Sequence, residues 1–291
     1  MPLESFNEID KLRAAIAQTR AGGSTRLGLV PTMGALHQGH LSLIHRAREE
    51  CDVVVVTIFV NPTQFAPEED LDTYPRTLES DLAECSTAGV DLVFCPDVET
   101  LYPDHYSTYI EENKISTVLE GEFRPGHFRG VATIVLKLLN IVQPDFAYFG
   151  QKDYQQQLLV RKMCEDLNVP VDIRTCPTVR EEDGLALSSR NRYLSDGERE
   201  TALAISRYLR ETRQQWQEGL ENLDRIRSDL LEKLSNTEKM KVDYACVVDA
   251  QTLAEAESPA EKMVALVAAH VGKTRLIDNM ILKRSSVLNT P

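Results

Sequence analysis

Residues 27–44 read Leu27-Gly-Leu-Val-Pro31-Thr-Met-Gly34-Ala-Leu-His37-Gln-Gly-His40-Leu-Ser-Leu-Ile44. A short apolar run stops at a proline, a loop with two glycines follows, and a helical pattern starts near His40. Strand, glycine-bearing loop and helix are the repeating unit of parallel α/β sheets. The next apolar run, Val53-Val-Val-Val-Thr-Ile-Phe-Val60, is continuous and β-branched rather than alternating. That is the composition of a parallel strand covered on both faces.

On the amino-terminal side, Phe6, Ile9, Leu12 and Ile16 recur at helical spacing and predict a helix over 6–20, ended by Gly22-Gly23. On the other side, a helix is expected near 76–88 and a strand over 90–94. An apolar helix over 130–142, closed by Pro144, precedes a strand at 146–149, a helix at 154–167 and a strand at 171–175. Right-handed crossovers place the carboxyl ends of such strands on one edge, where ligands bind. After about residue 178 the pattern changes. Two polar helices, near 196–217 and 221–235, lead to three strand-like runs at 242–248, 263–271 and 274–282. In the last run Leu276, Asp278, Met280 and Leu282 share one face, as in a half-exposed strand. The expectation is an α/β domain over 1–178 and a smaller α+β domain over 179–291.

The chain of 291 residues carries 32 Lys+Arg against 45 Asp+Glu, a formal charge of −13. That acid excess argues against non-specific nucleic-acid binding, which needs cations against phosphates. A small anion is still compatible, because a local cluster of donors outweighs the distant charge. No apolar run approaches the ~20 residues of a membrane span. Met1-Pro-Leu-Glu-Ser-Phe6 does not resemble a signal peptide. The six cysteines form no CxxC and are expected as buried free thiols in a reducing cytoplasm.

Four segments carry chemistry. Only six histidines occur in the chain, and two of them, His37 and His40, share one glycine-bearing strand-to-helix loop. A helix amino terminus with two imidazoles suits phosphate chemistry. A zinc pair would need further ligands, which the neighbouring sequence lacks. Ile58-Phe-Val-Asn61-Pro-Thr-Gln64-Phe65 leaves the second strand with two neutral amides, suited to a small hydroxy acid. Phe149-Gly150-Gln151-Lys152-Asp153-Tyr-Gln-Gln156 also passes from strand to helix. Lys152 is a point charge for phosphates, Asp153 either caps the helix or holds ribose or magnesium, and Gln156 offers an amide to a substrate. Asp183-Gly-Leu-Ala-Leu187-Ser188-Ser189-Arg190-Asn191 supplies two hydroxyls and a guanidinium for a pyrophosphate, with Ser195 and Asp196 as a separate helix cap.

His37-Gln-Gly-His40 resembles the HxGH signature of the Rossmann-like adenylyl-transferring superfamily. Pro31-Thr-Met-Gly34, Phe59-Val-Asn-Pro-Thr-Gln-Phe65, Tyr74-Pro-Arg-Thr77, Arg124-Pro-Gly-His-Phe-Arg-Gly130, Gly150-Gln-Lys-Asp153 and Leu187-Ser-Ser-Arg-Asn191 add to it. In this order and spacing they resemble the pantoate–β-alanine ligase family over about residues 26–194, and more weakly to Ile277-Asp-Asn-Met280. The family usually carries Glu where this chain has Gln151.

The resemblance implies a Rossmann-like nucleotide domain and a C-terminal lid. It also implies condensation of (R)-pantoate with β-alanine through pantoyl adenylate, with ATP as substrate, Mg²⁺ and a cytoplasmic homodimer. It assigns ATP binding to Met33, Gly34, Ala35, Leu36, His37, Gln38, Gly39 and His40, to Gly150, Gln151, Lys152 and Asp153, and to Val179, Leu187, Ser188, Ser189 and Arg190. His40, His37, Lys152 and Arg190 would act in catalysis. Asn61, Gln64, Gln156, Arg124 and His127 would face the substrates, and Asp81 would place magnesium. Two rivals remain: another HxGH nucleotidyltransferase, which would lack the Asn61/Gln64 and 124–130 segments, and a non-catalytic ATP sensor.

Overall fold

The computed structural model describes residues 3–220, 222–258, 260 and 262–283. The chain divides into two compact units, Met1–Val179 and Arg180–Pro291.

The first unit is a six-stranded sheet flanked by helices. In chain order it comprises β1 (Glu4–Phe6), α1 (Ile9–Arg20), β2 (Leu27–Thr32), α2 (Gln38–Glu50), β3 (Val53–Ile58), α3 (Leu78–Thr87) and β4 (Leu92–Phe94). Two short helices follow, α4 (Val98–Leu101) and α5 (Glu120–Phe123), then α6 (His127–Val142), β5 (Phe146–Gly150), α7 (Tyr154–Asp166) and β6 (Asp172–Cys176). All its strand pairs are parallel, in the order β1-β4-β3-β2-β5-β6. The order runs down to β2 and then jumps to β5. The switch point, where ligands enter such sheets, therefore lies between β2 and β5.

Side chains explain the register. Leu27, Leu29 and Val30 of β2 and Val54 and Val56 of β3 are fully buried, as the unbroken apolar runs require. Aspartates close the opposite edge. Asp145 Oδ2 accepts from the Leu27 N–H at 2.7 Å, and Asp91 Oδ2 from the Val54 N–H at 2.8 Å. These bonds satisfy strand-end donors that the ladder leaves over.

Two elements differ from expectation. The first helix begins at Ile9 rather than residue 6, because Phe6 is spent in β1, opposite Phe94. β2 runs through Pro31 to Thr32. Its ladder to β5 ends at Leu29, so at Pro31 only β3 lies alongside, and the missing N–H is tolerated. Elsewhere the expected elements are present within a few residues.

The second unit packs α8 (Asp196–Gln217) and α9 (Leu223–Ser235) with an antiparallel sheet of β7 (Met240–Asp249), β8 (Lys262–Val271) and β9 (Thr274–Lys283). Ser195 and Glu198 cap α8 reciprocally, in line with the cap expected at Ser195. Leu209, Ile226, Leu234, Val267 and Leu282 form its core. In β9 the expected face, Leu276, Asp278, Met280 and Leu282, is buried. Asp278 is tolerated there because Arg180 grips it with two bonds of 2.7 and 2.9 Å. Among the described residues all six cysteines are unpaired, and no helix is long and apolar enough to cross a membrane.

Removing one partner of a buried ion pair strands the other charge. Arg180→Ala is expected to destabilise the second unit by about 3–5 kcal/mol, measured by urea denaturation. Loss below about 1 kcal/mol would mean that Asp278 finds solvent or another donor.

Candidate active site

Three loops leave the switch-point edge side by side, because β3, β2 and β5 are consecutive in the sheet. They carry the two histidines, the amide pair and Lys152.

The loop after β2 bends sharply. Gly34 has φ +80° and Ala35 φ +49°, two left-handed residues in succession. The Thr32 hydroxyl donates to the Thr57 carbonyl at 2.8 Å and accepts from the Gly34 N–H at 3.2 Å. The Ala35 and Leu36 N–H groups both donate to Asp81, to Oδ2 at 3.0 Å and Oδ1 at 2.9 Å. His37 then caps α2, its Nδ1 accepting from the Gly39 N–H at 3.1 Å. Since Nδ1 is the acceptor, the proton of a neutral His37 sits on Nε2. The His37 and His40 rings stack with centroids 4.1 Å apart. Burial pushes His40 down from 6.5 to about 3, with His37 and Lys152 adding to the shift. His40 is thus a neutral imidazole, and its buried Nδ1 has no hydrogen-bond partner.

The loop after β3 forms a turn of 3₁₀ helix, Pro62–Gln64, capped by Asn61. The Asn61 side chain is 1% exposed and spent within the fold. Its Nδ2 donates to Gln64 Oε1 at 3.0 Å and to the Gly130 carbonyl at 3.2 Å, and its Oδ1 accepts from the Thr63 hydroxyl at 3.0 Å. Asn61 thus orients Gln64. With Oε1 occupied, Gln64 turns Nε2 toward Met33 Sδ at 3.2 Å. A thioether is a weak acceptor, so a carboxylate or hydroxyl arriving there is a better partner. The turn lies hard against α6. A Cβ on Gly130 would stand 2.3 Å from the Thr63 carbonyl oxygen, so no side chain fits.

Arg124 and His127 are also tied into the fold. Arg124 grips Glu69 in a bidentate pair at 2.6 and 2.8 Å and reaches His127 Nε2 at 3.1 Å. His127 Nδ1 stands 2.9 Å from the Gln64 carbonyl oxygen. Burial, with the Arg124 charge second, pushes His127 down to about 4. The neutral ring therefore donates from Nδ1 to that carbonyl and accepts at Nε2. The pair latches the segment around Glu69 and supports the backbone of Gln64.

After β5 the Gln151 N–H returns to the Cys176 carbonyl at 2.8 Å. Asp153 occupies the cap position of α7 but makes no side-chain cap bond, so the capping role is not the one it plays. Its carboxylate lies 3.9 Å from Lys152 Nζ. Of the three glutamines that follow, Gln155 holds the Ile115 and Val118 carbonyls, each at 2.7 Å, and Gln157 accepts from Thr175. Gln156 is half-buried and makes no side-chain hydrogen bond among the described residues.

Asp81 is drawn into the histidine loop. It is 2% exposed, with both oxygens engaged by backbone N–H groups and by the Thr77 hydroxyl at 3.2 Å. In this structure it anchors that loop from within the fold. Among the described residues no group of three His, Cys, Asp or Glu is arranged to hold a metal.

Val179 ends the first unit, half-buried. In the second unit Ser188 Oγ accepts from the Arg190 N–H at 3.3 Å and caps a short 3₁₀ helix, Ser189–Tyr193. Asn191 Nδ2 holds Glu181 and the Ala186 carbonyl, and Arg199 bridges Glu181 and Asp183, which braces the segment containing Leu187, Ser189 and Arg190.

The buried histidines set a pH dependence. For His127 the folded value, about 4, lies below the unfolded 6.5, so between those values the unfolded chain binds more protons. Stability is therefore expected to fall as pH drops from about 6.5 toward 4. His127→Gln should flatten that slope in urea midpoints recorded across the window. An unchanged slope would contradict a neutral buried His127.

Comparison with known proteins agrees with this geometry. The profile of the family described as Pantoate-beta-alanine ligase matches residues 4–281. Pantothenate synthetase from Pseudothermotoga lettingae is 50% identical over 274 residues, covering 94% of this chain and 97% of that protein. Pantothenate synthetase from Thermodesulfovibrio yellowstonii is 53% identical over 258 residues, covering 88% and 92%. A crystal structure of pantothenate synthetase from Thermus thermophilus superimposes with a TM-score of 0.91 at 43% identity, covering 96% and 99%. That of pantoate-beta-alanine ligase from Francisella tularensis, complexed with beta-gamma ATP and beta-alanine, gives 0.77 at 36% identity, covering 96% and 97%. With its profile matched over nearly the whole length and its six motifs seated on this fold, the chain belongs to the pantoate-beta-alanine ligase family.

Proposed function

We propose that the protein joins (R)-pantoate to β-alanine at the expense of ATP, through a pantoyl adenylate, releasing pyrophosphate and AMP. The observation that carries this reading is one juxtaposition. The stacked His37–His40 pair stands close to Lys152, and Met33 of the same loop meets the oriented amide of Gln64. Phosphate-directed and hydroxy-acid-directed groups thus share one sheet edge.

In the first step a pantoate carboxylate oxygen attacks the α-phosphorus. The bond from phosphorus to the bridging oxygen breaks, and pyrophosphate leaves with the electron pair. The step calls for orientation and for stabilisation of phosphoryl charge, with no covalent nucleophile on the protein. Lys152 supplies charge. His40, held neutral, offers a hydrogen bond to a phosphoryl oxygen, and His37 supports it through the stack. Gln64 Nε2 and Gln156 are assigned to pantoate. In the second step the β-alanine amine, deprotonated, attacks the carbonyl carbon of the mixed anhydride, and AMP leaves with the electrons of the broken bond. The surrounding loops must keep water from that anhydride.

Among the described residues no cluster of three His, Cys, Asp or Glu stands ready for a metal. Mg²⁺ is best read as arriving with the nucleotide, as is usual for ions that keep phosphate and water ligands. Ser188, Ser189 and Arg190 are assigned to the phosphates, Val179 and Leu187 to the adenine side, and the second unit to a lid. Resemblance supports those assignments, as it does the cytoplasmic homodimer.

Two substitutions test the reading. His40→Ala is expected to slow adenylate formation by about 10²–10³-fold, the scale for one lost transition-state donor, in single-turnover pyrophosphate release. A near-wild-type rate would remove His40 from the mechanism. Gln64→Ala is expected to raise the KM for pantoate by about tenfold or more, the scale of one lost hydrogen bond to a charged group, while leaving ATP affinity nearly unchanged. Equal effects on the two substrates would place Gln64 elsewhere.

A further inference from the structure

The histidine loop is held by a side chain from another element. Gly34 and Ala35 are both left-handed, and for alanine that conformation carries a steric penalty. The turn aims two successive backbone N–H groups, those of Ala35 and Leu36, at one point. Such a pair is an anion-binding arrangement. In a phosphate-binding loop the expected anion is the ligand. Here it is Asp81, delivered from the first turn of α3 and buried to 2% exposure.

The fit is made from several sides. Each carboxylate oxygen takes one N–H, and the Thr77 hydroxyl lies 3.2 Å from both. Oδ2 lies 3.0 Å from where a Cβ on Gly34 would be, so the glycine face is what lets the carboxylate approach. No Lys or Arg pairs with Asp81 among the described residues. The buried charge is met by N–H dipoles and a hydroxyl. Leu36, held by Oδ1, directly precedes His37, which caps α2, and His40 follows in the first turn. The chain between anchor and imidazoles is therefore too short to absorb slack.

We propose that Asp81 is a positioning residue for the adenylation step: its carboxylate locks the Gly34–Ala35 turn and so sets where His37 and His40 stand. A consequence is that the Ala35 and Leu36 amides are not phosphate ligands. This inference rests on the function proposed above. A misplacement of about 1 Å in a catalytic group is worth about 10²-fold in rate, which gives the loss expected when the lock is removed.

The test is Asp81→Asn, which keeps the shape and replaces one acceptor with a donor facing an N–H. Three quantities are read: amide hydrogen exchange at Ala35 and Leu36, single-turnover pyrophosphate release with ATP and pantoate, and the urea midpoint. The expected results are faster exchange at both amides and a rate loss of about 10–10²-fold. In a His40→Ala background the same substitution should cost less than about threefold, because residues acting as a unit are non-additive. An equal loss in both backgrounds would make Asp81 a general stabiliser and overturn the proposal, as would a wild-type rate in the single variant. If Asp81→Asn does not fold, Thr77→Val removes one donor to the same carboxylate and should show a smaller loss with the same non-additivity. If the unaltered protein releases no pyrophosphate in response to pantoate, the functional reading fails. Exchange at Ala35 and Leu36 still decides whether Asp81 is the anchor.

Discussion

Parallel strands all present their carboxyl ends at one edge, and β2 is flanked on that edge by β3 and β5. The chemistry of this protein depends on that arrangement. Residues 33–40, 61–64 and 150–153 are far apart in the chain. They become neighbours only because the crossovers reverse direction between β2 and β5.

Given the edge, the loops are held in place by buried polar groups with assigned partners. Asp81 answers two N–H groups of the histidine loop. Asn61 answers Gln64, Thr63 and the Gly130 carbonyl. His127 supports the Gln64 backbone and is itself met by Arg124, which Glu69 holds. A buried polar group without a partner costs about 1–3 kcal/mol, so each of these side chains favours a single loop geometry. His40 departs from the pattern: its Nδ1 is buried and unpartnered.

The electrostatics follow from the same packing. The chain is strongly acidic overall, yet the edge gathers Lys152 and two histidines. Burial keeps His40 neutral, which limits repulsion within the cluster. Net charge describes the surface as a whole, whereas a triphosphate would meet the local field. The close contact of the Thr63 turn with Gly130 keeps that loop from spreading into solvent.

The layers and the order of helices and strands can be read from the chain. Those features are written locally, in unbroken β-branched runs, helical spacing, and glycine or serine at element ends. Gln64, His37, His40 and Lys152 stand out in the sequence because their residue types are unusual for a strand-exit loop. The division of labour among polar residues does not. Asn61 and Gln64 look equivalent in the sequence, as do Gln155, Gln156 and Gln157, and Asp81 looks like any acidic residue on a helix. Packing in three dimensions settles which amide is spent inside the fold, and which carboxylate holds a backbone turn. A hydrogen-bond partner 46 residues away, as Ala35 is from Asp81, leaves no periodic trace in the chain.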